Sequence, residues 1–197
     1  MRQQSDLFGF DAAPQRDIRR LFFALWPDQA LRERIEETTV RLADAHGTRG
    51  RPTAPERYHL TLQFLGDFQG RQQPLIDSVV AAADSVRSAA FELMLDHAGS
   101  FGRTKVGWLG PASMPAGLQR LWDALGLALA KRGIRPKSAA SLTPHVTVLR
   151  GMRKPLPPIA IPPLVWSADS FVLIESRFGQ GAYAEVQRWP LLPGTAS

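Results

Sequence analysis

The sequence YHLTL at residues 58–62 returns in pattern as PHVTV at residues 144–148. Each copy reads histidine, aliphatic residue, threonine, aliphatic residue. Because successive side chains of a β-strand point to opposite faces, the histidine and threonine of each copy share one face and the aliphatic residues share the other. The chain therefore contains an internal repeat in which one strand face is polar and the other packs into a core. The polar residues of the two copies are His59, Thr61, His145 and Thr147.

The segments around the two motifs predict strands and helices in alternation. Strands are indicated by aromatic or aliphatic runs and by alternation of polar and apolar residues, and helices by apolar residues at helical spacing. Gly66 and Asp67 predict the end of the first motif strand, and five prolines within residues 151–163 predict an extended segment without regular structure. The pattern favours an α+β fold with antiparallel pairing. The predicted strands are residues 20–26, 58–65, 91–95, 105–109, 143–150, 171–174 and 183–186, and the predicted helices are residues 27–47, 74–86 and 118–129.

Length and composition predict one domain with a sizeable core, because the chain has 197 residues of which 44% are hydrophobic. We expect this domain to span residues 17–192, between a flexible N-terminal tail at 1–16 and a short C-terminal tail at 193–197. No apolar run is long enough to cross a bilayer, and the first residues lack the apolar core of a secretion signal. We therefore expect a cytoplasmic protein with no membrane partner. We also expect a monomer.

Charge and cysteine content narrow the function further. The net charge of +6 favours a polyanionic partner, since clustered lysine and arginine attract phosphate. The absence of cysteine excludes disulfides, thiolate nucleophiles and cysteine-ligated zinc.

Residues 4–8 (QSDLF) resemble the pentapeptide by which many bacterial proteins bind the DNA sliding clamp, although Ser5 stands where that pattern has an aliphatic residue. A match of five residues also arises by chance. A weak contact with the sliding clamp and a tail with two incidental apolar residues are both consistent with this segment.

The paired motif suits acid–base chemistry at phosphorus. An imidazole has a pKa of about 6.5, so of two histidines facing one cleft, one can donate a proton while the other accepts one. A threonine hydroxyl beside each ring can donate a hydrogen bond to a phosphate oxygen. A lone His-x-Thr is most often an ordinary strand pair, but here two copies have the same flanks and follow loops that carry arginine or lysine. Zinc binding is a rival use, yet two histidines without a nearby acidic ligand make a poor site, so we expect no metal.

With these motifs the chain resembles the 2H phosphoesterase superfamily, and within it the RNA 2′,3′-cyclic phosphodiesterases, once called 2′-5′ RNA ligases. The resemblance covers nearly everything between Arg20 and Pro190. The matching stretches occur in the family's order and are RLFFA at residues 20–24, PERYHLTLQFLG at 55–66, VGWLG at 106–110, PHVTVLR at 144–150, and the closing Glu175 and Ser176 with Gly181 and Tyr183. One departure is Pro52, where the family often has a tryptophan just before the first motif.

The resemblance implies a bilobal fold, with two antiparallel sheets around a central cleft, helices outside and a pseudo-twofold arrangement of the motifs. It also implies that no cofactor is needed and that a terminal 2′,3′-cyclic phosphate is opened to a 2′-phosphate. By this analogy His59 is the proton donor to the departing ribose oxygen and His145 activates the attacking water. Thr61 and Thr147 would bind the phosphate, and RNA ends or cyclic nucleotides would be the ligands.

Three further residues are candidates for substrate binding. The family places an arginine near the phosphate at the position of Arg150, but five residues after His145 on one strand this side chain falls nominally on the opposite face. A solvated charge at the strand end is the alternative. Phe22 and Tyr183 could each stack on a base, because aromatic faces bind bases without reading sequence. Core packing is the alternative for both.

Two other functions remain open at this point. The first is ligation, in which a 5′-hydroxyl RNA end replaces water and forms a 2′-5′ link. The second is a noncatalytic module that binds RNA ends, although binding alone needs only arginine and lysine rather than two imidazoles and two threonines.

Overall fold

The computed structural model describes residues 17–137, 141–179, 181 and 183–194. They form three α-helices and nine β-strands, which confirms the α+β prediction. The elements are β1 (Ile18–Leu25), α1 (Gln29–His46), β2 (Arg51–Pro52), a 3₁₀ helix (Pro55–Arg57), β3 (Leu60–Gln69), α2 (Gln73–Ala83), β4 (Phe91–Phe101), β5 (Val106–Gly110), α3 (Ala116–Lys131), β6 (Val146–Arg150), β7 (Ile159–Ala168), β8 (Ser170–Arg177) and β9 (Tyr183–Pro190).

The strands pair in the order β7-β4-β5-β6-β3-β1-β8-β9, and β2 pairs with the C-terminal end of β6. Each of these pairings is antiparallel. Four strands therefore lie on each side of the β3/β6 junction, and the two motif strands are its innermost members. At that junction a single residue pair, Leu60 with Val146, joins β3 to β6 in the described part of the chain. The two sheets that the resemblance implied are thus joined edge to edge into one continuous hydrogen-bonded sheet.

One hydrophobic cluster lies on the helix side of this sheet. Leu60 and Val146 belong to it, together with Ile35 of α1, Val79 of α2 and Leu121 of α3. Burial of these side chains supplies the main stabilisation of the fold. A smaller cluster of Phe22, Ala24, Val172 and Ile174 covers the opposite face of β1 and β8. The helices thus cover one face of the junction and leave the other free for the cleft.

Local signals set the helix ends. The Asp28 carboxylate accepts a hydrogen bond of 2.8 Å from the backbone N–H of Leu31 and caps α1, and Gly47 ends the helix with a φ of 58°. The helix therefore begins and ends close to the predicted positions.

Both motif histidines lie one residue before their strands, not within them as predicted. The 3₁₀ helix ends at Arg57 just before His59, and β6 begins only at Val146. The prediction that Gly66 and Asp67 end the first motif strand is also wrong, because β3 continues to Gln69. Within β3 the backbone of Gly66 has a φ of 142°, which an L side chain rarely adopts. Glycine adopts this angle without strain, so the strand continues through this position.

The proline-rich segment forms a strand where none was predicted. Strand β7 contains Pro162 and Pro163, both exposed, and pairs only with β4 at one edge of the sheet. The register between β4 and β7 shifts where these prolines lie, between the pairs Leu95–Leu164 and His97–Ala160. Proline is tolerated at an edge or a bulge because no ladder hydrogen bond is required from its nitrogen.

The predicted N-terminal tail, with the clamp-like residues 4–8, lies outside the described residues, as do residues 195–197. Leu192 is the last residue tied to the fold in the described part, through its N–H to Ser88 O at 2.8 Å and its carbonyl to Ala90 N–H at 2.7 Å.

Two glycines of α3 provide a test of its packing. A Cβ added to Gly117 would lie 2.4 Å from Phe91 Cβ, so Gly117→Ala should lower the free energy of unfolding by about 1–3 kcal/mol. Gly126→Ala is the matched control, because its Cβ would meet Gln63 Nε2 at an ordinary 3.4 Å. It should raise the free energy of unfolding by up to about 1 kcal/mol, since alanine is the better helix former. Urea denaturation measures both, and a Gly117→Ala protein as stable as the parent would contradict this packing.

Candidate active site

The two motifs meet across the β3/β6 junction. Because Leu60 pairs with Val146 and both face the core, the flanking residues of each point to the other face. The antiparallel register sets His59 across from Thr147 and Thr61 across from His145, with the two histidines on one diagonal. All four side chains line one cavity of about 900 Å³.

Each imidazole is oriented by its own backbone. His59 Nδ1 lies 2.7 Å from Arg57 O, and His145 Nδ1 lies 2.8 Å from Thr143 O, each two residues earlier in the chain. A carbonyl oxygen only accepts, so Nδ1 carries a proton in both rings. In each ring Nε2, on the side away from that bond, is therefore the nitrogen that can gain or lose a proton.

The two histidines have different aromatic neighbours. The His59 ring packs against Phe22 at 4.9 Å between centroids and against the edge of Tyr183 at 5.3 Å. The His145 ring meets Phe101 edge-on at 5.0 Å and an interplanar angle of 85°. These contacts hold each ring in place.

Bulges turn further side chains toward the cavity. On β3, Leu62 and Leu65 have no partner opposite in β1, and these irregularities bring Phe64 and Asp67 to the cavity in addition to Thr61 and Leu62.

On β6 the register with β5 shifts so that Val148 is unpaired, and Val148 and Leu149 are both buried. The alternation is reset, and Arg150 lines the cavity together with Thr147. The nominal placement of Arg150 on the opposite face is therefore wrong, because simple alternation does not include the extra residue.

The cavity is rich in positive charge. The Arg20 guanidinium forms a bidentate pair with Asp67, with Nε–Oδ1 at 2.8 Å and Nη2–Oδ2 at 2.9 Å. Four other arginines line the cavity and have no ion pair among the described residues: Arg51, Arg57, Arg150 and Arg177. Such an excess of guanidinium groups favours an anionic ligand, and arginine binds phosphate through two parallel N–H groups.

This environment lowers the pKa of both histidines. Burial is the largest cause and lowers the pKa of His59 to about 4, with further contributions from His145, Arg150 and Arg57, against the opposing hydrogen bond to Arg57 O. Burial and then Arg150 lower the pKa of His145, again against its carbonyl hydrogen bond. Both rings are therefore neutral near pH 7.

The cavity contains every residue that the sequence proposed for the site: Phe22, His59, Thr61, His145, Thr147, Arg150 and Tyr183. Phe22 is only 3% exposed, so most of its ring surface already contacts protein. Sequence reasoning missed Arg51, Arg57, Trp122 and Phe178, which also line the cavity. Phe178 is 81% exposed at the rim. The basic loop at residues 48–57 was a usable signal for the first two, whereas no sequence pattern distinguishes Trp122 or Phe178.

The described residues contain no group of three histidine, cysteine, aspartate or glutamate side chains able to hold a metal ion. No helix in the described part of the chain has the length and apolar character needed to cross a membrane.

Comparison with known proteins places the chain in a family. The model of the LigT-like phosphoesterases matches residues 25–108. The RNA 2′,3′-cyclic phosphodiesterase of Escherichia coli K12 is 34% identical over 179 residues, which are 88% of this chain and 97% of that protein. The crystal structure of E. coli LigT in apo form has a TM-score of 0.73 at 31% identity, and covers 89% of this chain and 99% of its own. E. coli LigT complexed with 3′-AMP has a TM-score of 0.68 at 31% identity, with 89% and 98% covered. The chain therefore belongs to the LigT-like phosphoesterases, the family of RNA 2′,3′-cyclic phosphodiesterases that its two motifs resemble.

Proposed function

We propose that this protein hydrolyses the 2′,3′-cyclic phosphate at RNA ends to a 2′-phosphomonoester, without a metal or cofactor. The observation that carries the proposal is the diagonal placement of His59 and His145 in one cavity, each with Nδ1 held by a backbone carbonyl. The names of the relatives and the 3′-AMP complex of E. coli LigT support RNA ends or cyclic nucleotides as ligands. The single domain at residues 17–192, the monomeric state and the cytoplasmic location remain predictions.

In the proposed reaction the phosphate lies between the Thr61 and Thr147 hydroxyls, which donate hydrogen bonds to its nonbridging oxygens, with Arg150 balancing its charge. His145 Nε2 takes a proton from water as the water oxygen attacks phosphorus. The P–O3′ bond breaks on the opposite side, and His59 Nε2–H gives its proton to O3′. The product carries a 2′-phosphate and a 3′-hydroxyl, and the two rings exchange protons with solvent before the next turnover.

Substrate binding supplies the protonated donor that the proposed reaction needs. An anionic phosphate between the rings favours imidazolium, so it raises the pKa of both histidines from their lowered values. The proton that His59 donates is therefore taken up together with the substrate. Because the two rings interact, they titrate as a pair.

Aromatic side chains have different proposed tasks. Phe22, with its ring packed on His59, supports that imidazole and has little free surface for a base. We place base stacking on the exposed rim residue Phe178 and on Tyr183, whose ring already has the Arg57 guanidinium carbon 5.0 Å from its centroid and so offers a base one face. Stacking on such faces tolerates any base, which suits an enzyme that acts on RNA ends.

Replacing either histidine should remove the activity. His59→Ala and His145→Ala should each slow ring opening of a cyclic-phosphate oligonucleotide by at least about 100-fold, since each removes an acid–base group. His46→Ala, on the exposed end of α1 and outside the cavity, is the matched control. Chromatography of the products reports turnover, and circular dichroism reports folding.

EDTA should leave the wild-type rate unchanged. Full activity of either cavity variant would refute the proposed mechanism, and a 2′-5′-linked product would indicate ligation. Binding of the oligonucleotide without turnover by the wild type would indicate the noncatalytic module.

The assignment of donor and acceptor can be tested with a leaving group that needs no protonation. On a 4-nitrophenyl phosphodiester, His59→Ala should recover much of its rate relative to wild type, because nitrophenolate departs without a proton. His145→Ala should stay impaired, since attack by water still needs a base. The 4-nitrophenolate absorbance gives both rates, and recovery of His145→Ala instead would reverse the two roles.

Arg150→Gln should raise the pKa of both histidines, because it removes a positive charge that disfavours imidazolium in each ring. Titration of the imidazole ¹⁵N and ¹H shifts by NMR measures this. Arg71→Gln removes the same charge from an exposed position outside the cavity and should leave both pKa values unchanged. Equal titration of the Arg150→Gln and wild-type proteins would contradict the proposed electrostatic coupling.

A further inference from the structure

A second cavity, of about 520 Å³, opens from the first beyond the end of β6. Arg51 and Arg150 line both cavities, so the two lie next to each other. We call the second cavity the arginine extension, defined by its lining residues Arg49, Gly50, Arg51, Arg150, Gly151 and Arg153. It contains no acidic side chain, and none of its four arginines forms an ion pair within the described part of the chain.

The backbone holds these like charges together. Strand β2 pairs Arg51 directly with Arg150 of β6, and like charges opposite each other in a sheet destabilise it. The N–H of Arg153 donates to Arg49 O at 3.2 Å and fixes the other two arginines side by side. The fold therefore carries an electrostatic repulsion that a bound anion would relieve.

The lining chemistry indicates which anion fits. Arginine forks bind the oxygens of phosphate in bidentate fashion. Gly50 and Gly151 contribute backbone without side chains, and no aromatic side chain lines the extension, so guanidinium groups are the main polar surface that it presents. A phosphate, rather than a base or sugar, is the chemical group that this lining recognises.

The position of the extension relates this phosphate to the reacting one. Arg150 follows Thr147 by three residues on β6, which is about 10 Å along a strand, and its side chain lines both cavities. An RNA strand carries one phosphate per nucleotide. A strand whose terminal cyclic phosphate lies at Thr61 and Thr147 therefore has another phosphate available to enter the extension.

We infer that the arginine extension binds the phosphate on the 5′ side of the terminal nucleotide, so that this protein prefers RNA ends and 5′-phosphorylated nucleotides to nucleoside cyclic phosphates. This inference rests on the proposed function for its substrate class. Arg49 and Arg153 are the residues that test it, because they line only the extension and lie outside the proposed catalytic machinery.

The kinetic test compares three substrates: adenosine 2′,3′-cyclic phosphate, the same compound with a 5′-phosphate, and the dinucleotide ApA with a 2′,3′-cyclic end. Wild type should show a lower KM for the two substrates that carry the second phosphate. Arg49→Gln and Arg153→Gln should each raise that KM by about threefold to tenfold and leave turnover of adenosine 2′,3′-cyclic phosphate unchanged. Arg71→Gln is the matched control and should change none of the three. Variants that keep the full wild-type preference for the second phosphate would overturn the inference.

A binding test separates this inference from the proposed function. Calorimetry should show that adenosine 3′,5′-bisphosphate binds more tightly than 3′-AMP, and that Arg49→Gln and Arg153→Gln remove this difference. If the protein opens no cyclic phosphate but shows this binding, the proposed reaction fails and the extension stands. Equal binding of the two nucleotides by wild type would overturn the extension, whatever the turnover.

Discussion

The pairing of Leu60 with Val146 is the contact on which the cleft depends. Both side chains are buried under the helices, and an antiparallel pair has twofold symmetry about its centre. When both strands of such a pair carry the same motif, the polar residues of both copies lie on the face away from the core. The two copies run in opposite directions there. That symmetry places His59 and His145 on one diagonal and the two threonines on the other, and the proposed reaction uses this arrangement for attack and departure on opposite sides of one phosphorus atom.

Electrostatics then links binding to chemistry. Burial and the nearby arginines lower the pKa of both imidazoles, since each positive charge disfavours imidazolium. In the proposed reaction these arginines attract the phosphate, whose negative charge raises the pKa of both rings. The proposed mechanism therefore has the anionic substrate produce the protonated donor that its own cleavage requires. The arginine extension continues this positive charge beyond the end of β6.

Several features of the site were beyond prediction because they arise from irregularities in strand pairing. The assumption that side chains alternate between the two faces of a strand gave the correct face for His59 and Thr61, which lie beside the single residue pair at the junction. It failed for Arg150, because the unpaired Val148 shifts every later residue of β6 to the other face. The prolines of β7 led to the wrong prediction of a segment without regular structure. An edge strand with a bulge can contain them because it needs no hydrogen bond from their nitrogens.

The sequence alone determined which groups are available: two His-x-Thr motifs on strand-forming segments, aliphatic neighbours that must be buried, a basic balance of charge and no thiol. These follow from side-chain chemistry and local periodicity, which need no knowledge of distant contacts. The tertiary structure decided where those groups meet. Pairing between strands far apart in the chain set the diagonal of the histidines, the bulges brought Arg150 to the cavity, and β2 placed Arg51 beside it, because register and bulges are fixed by packing of the whole sheet rather than by any one segment.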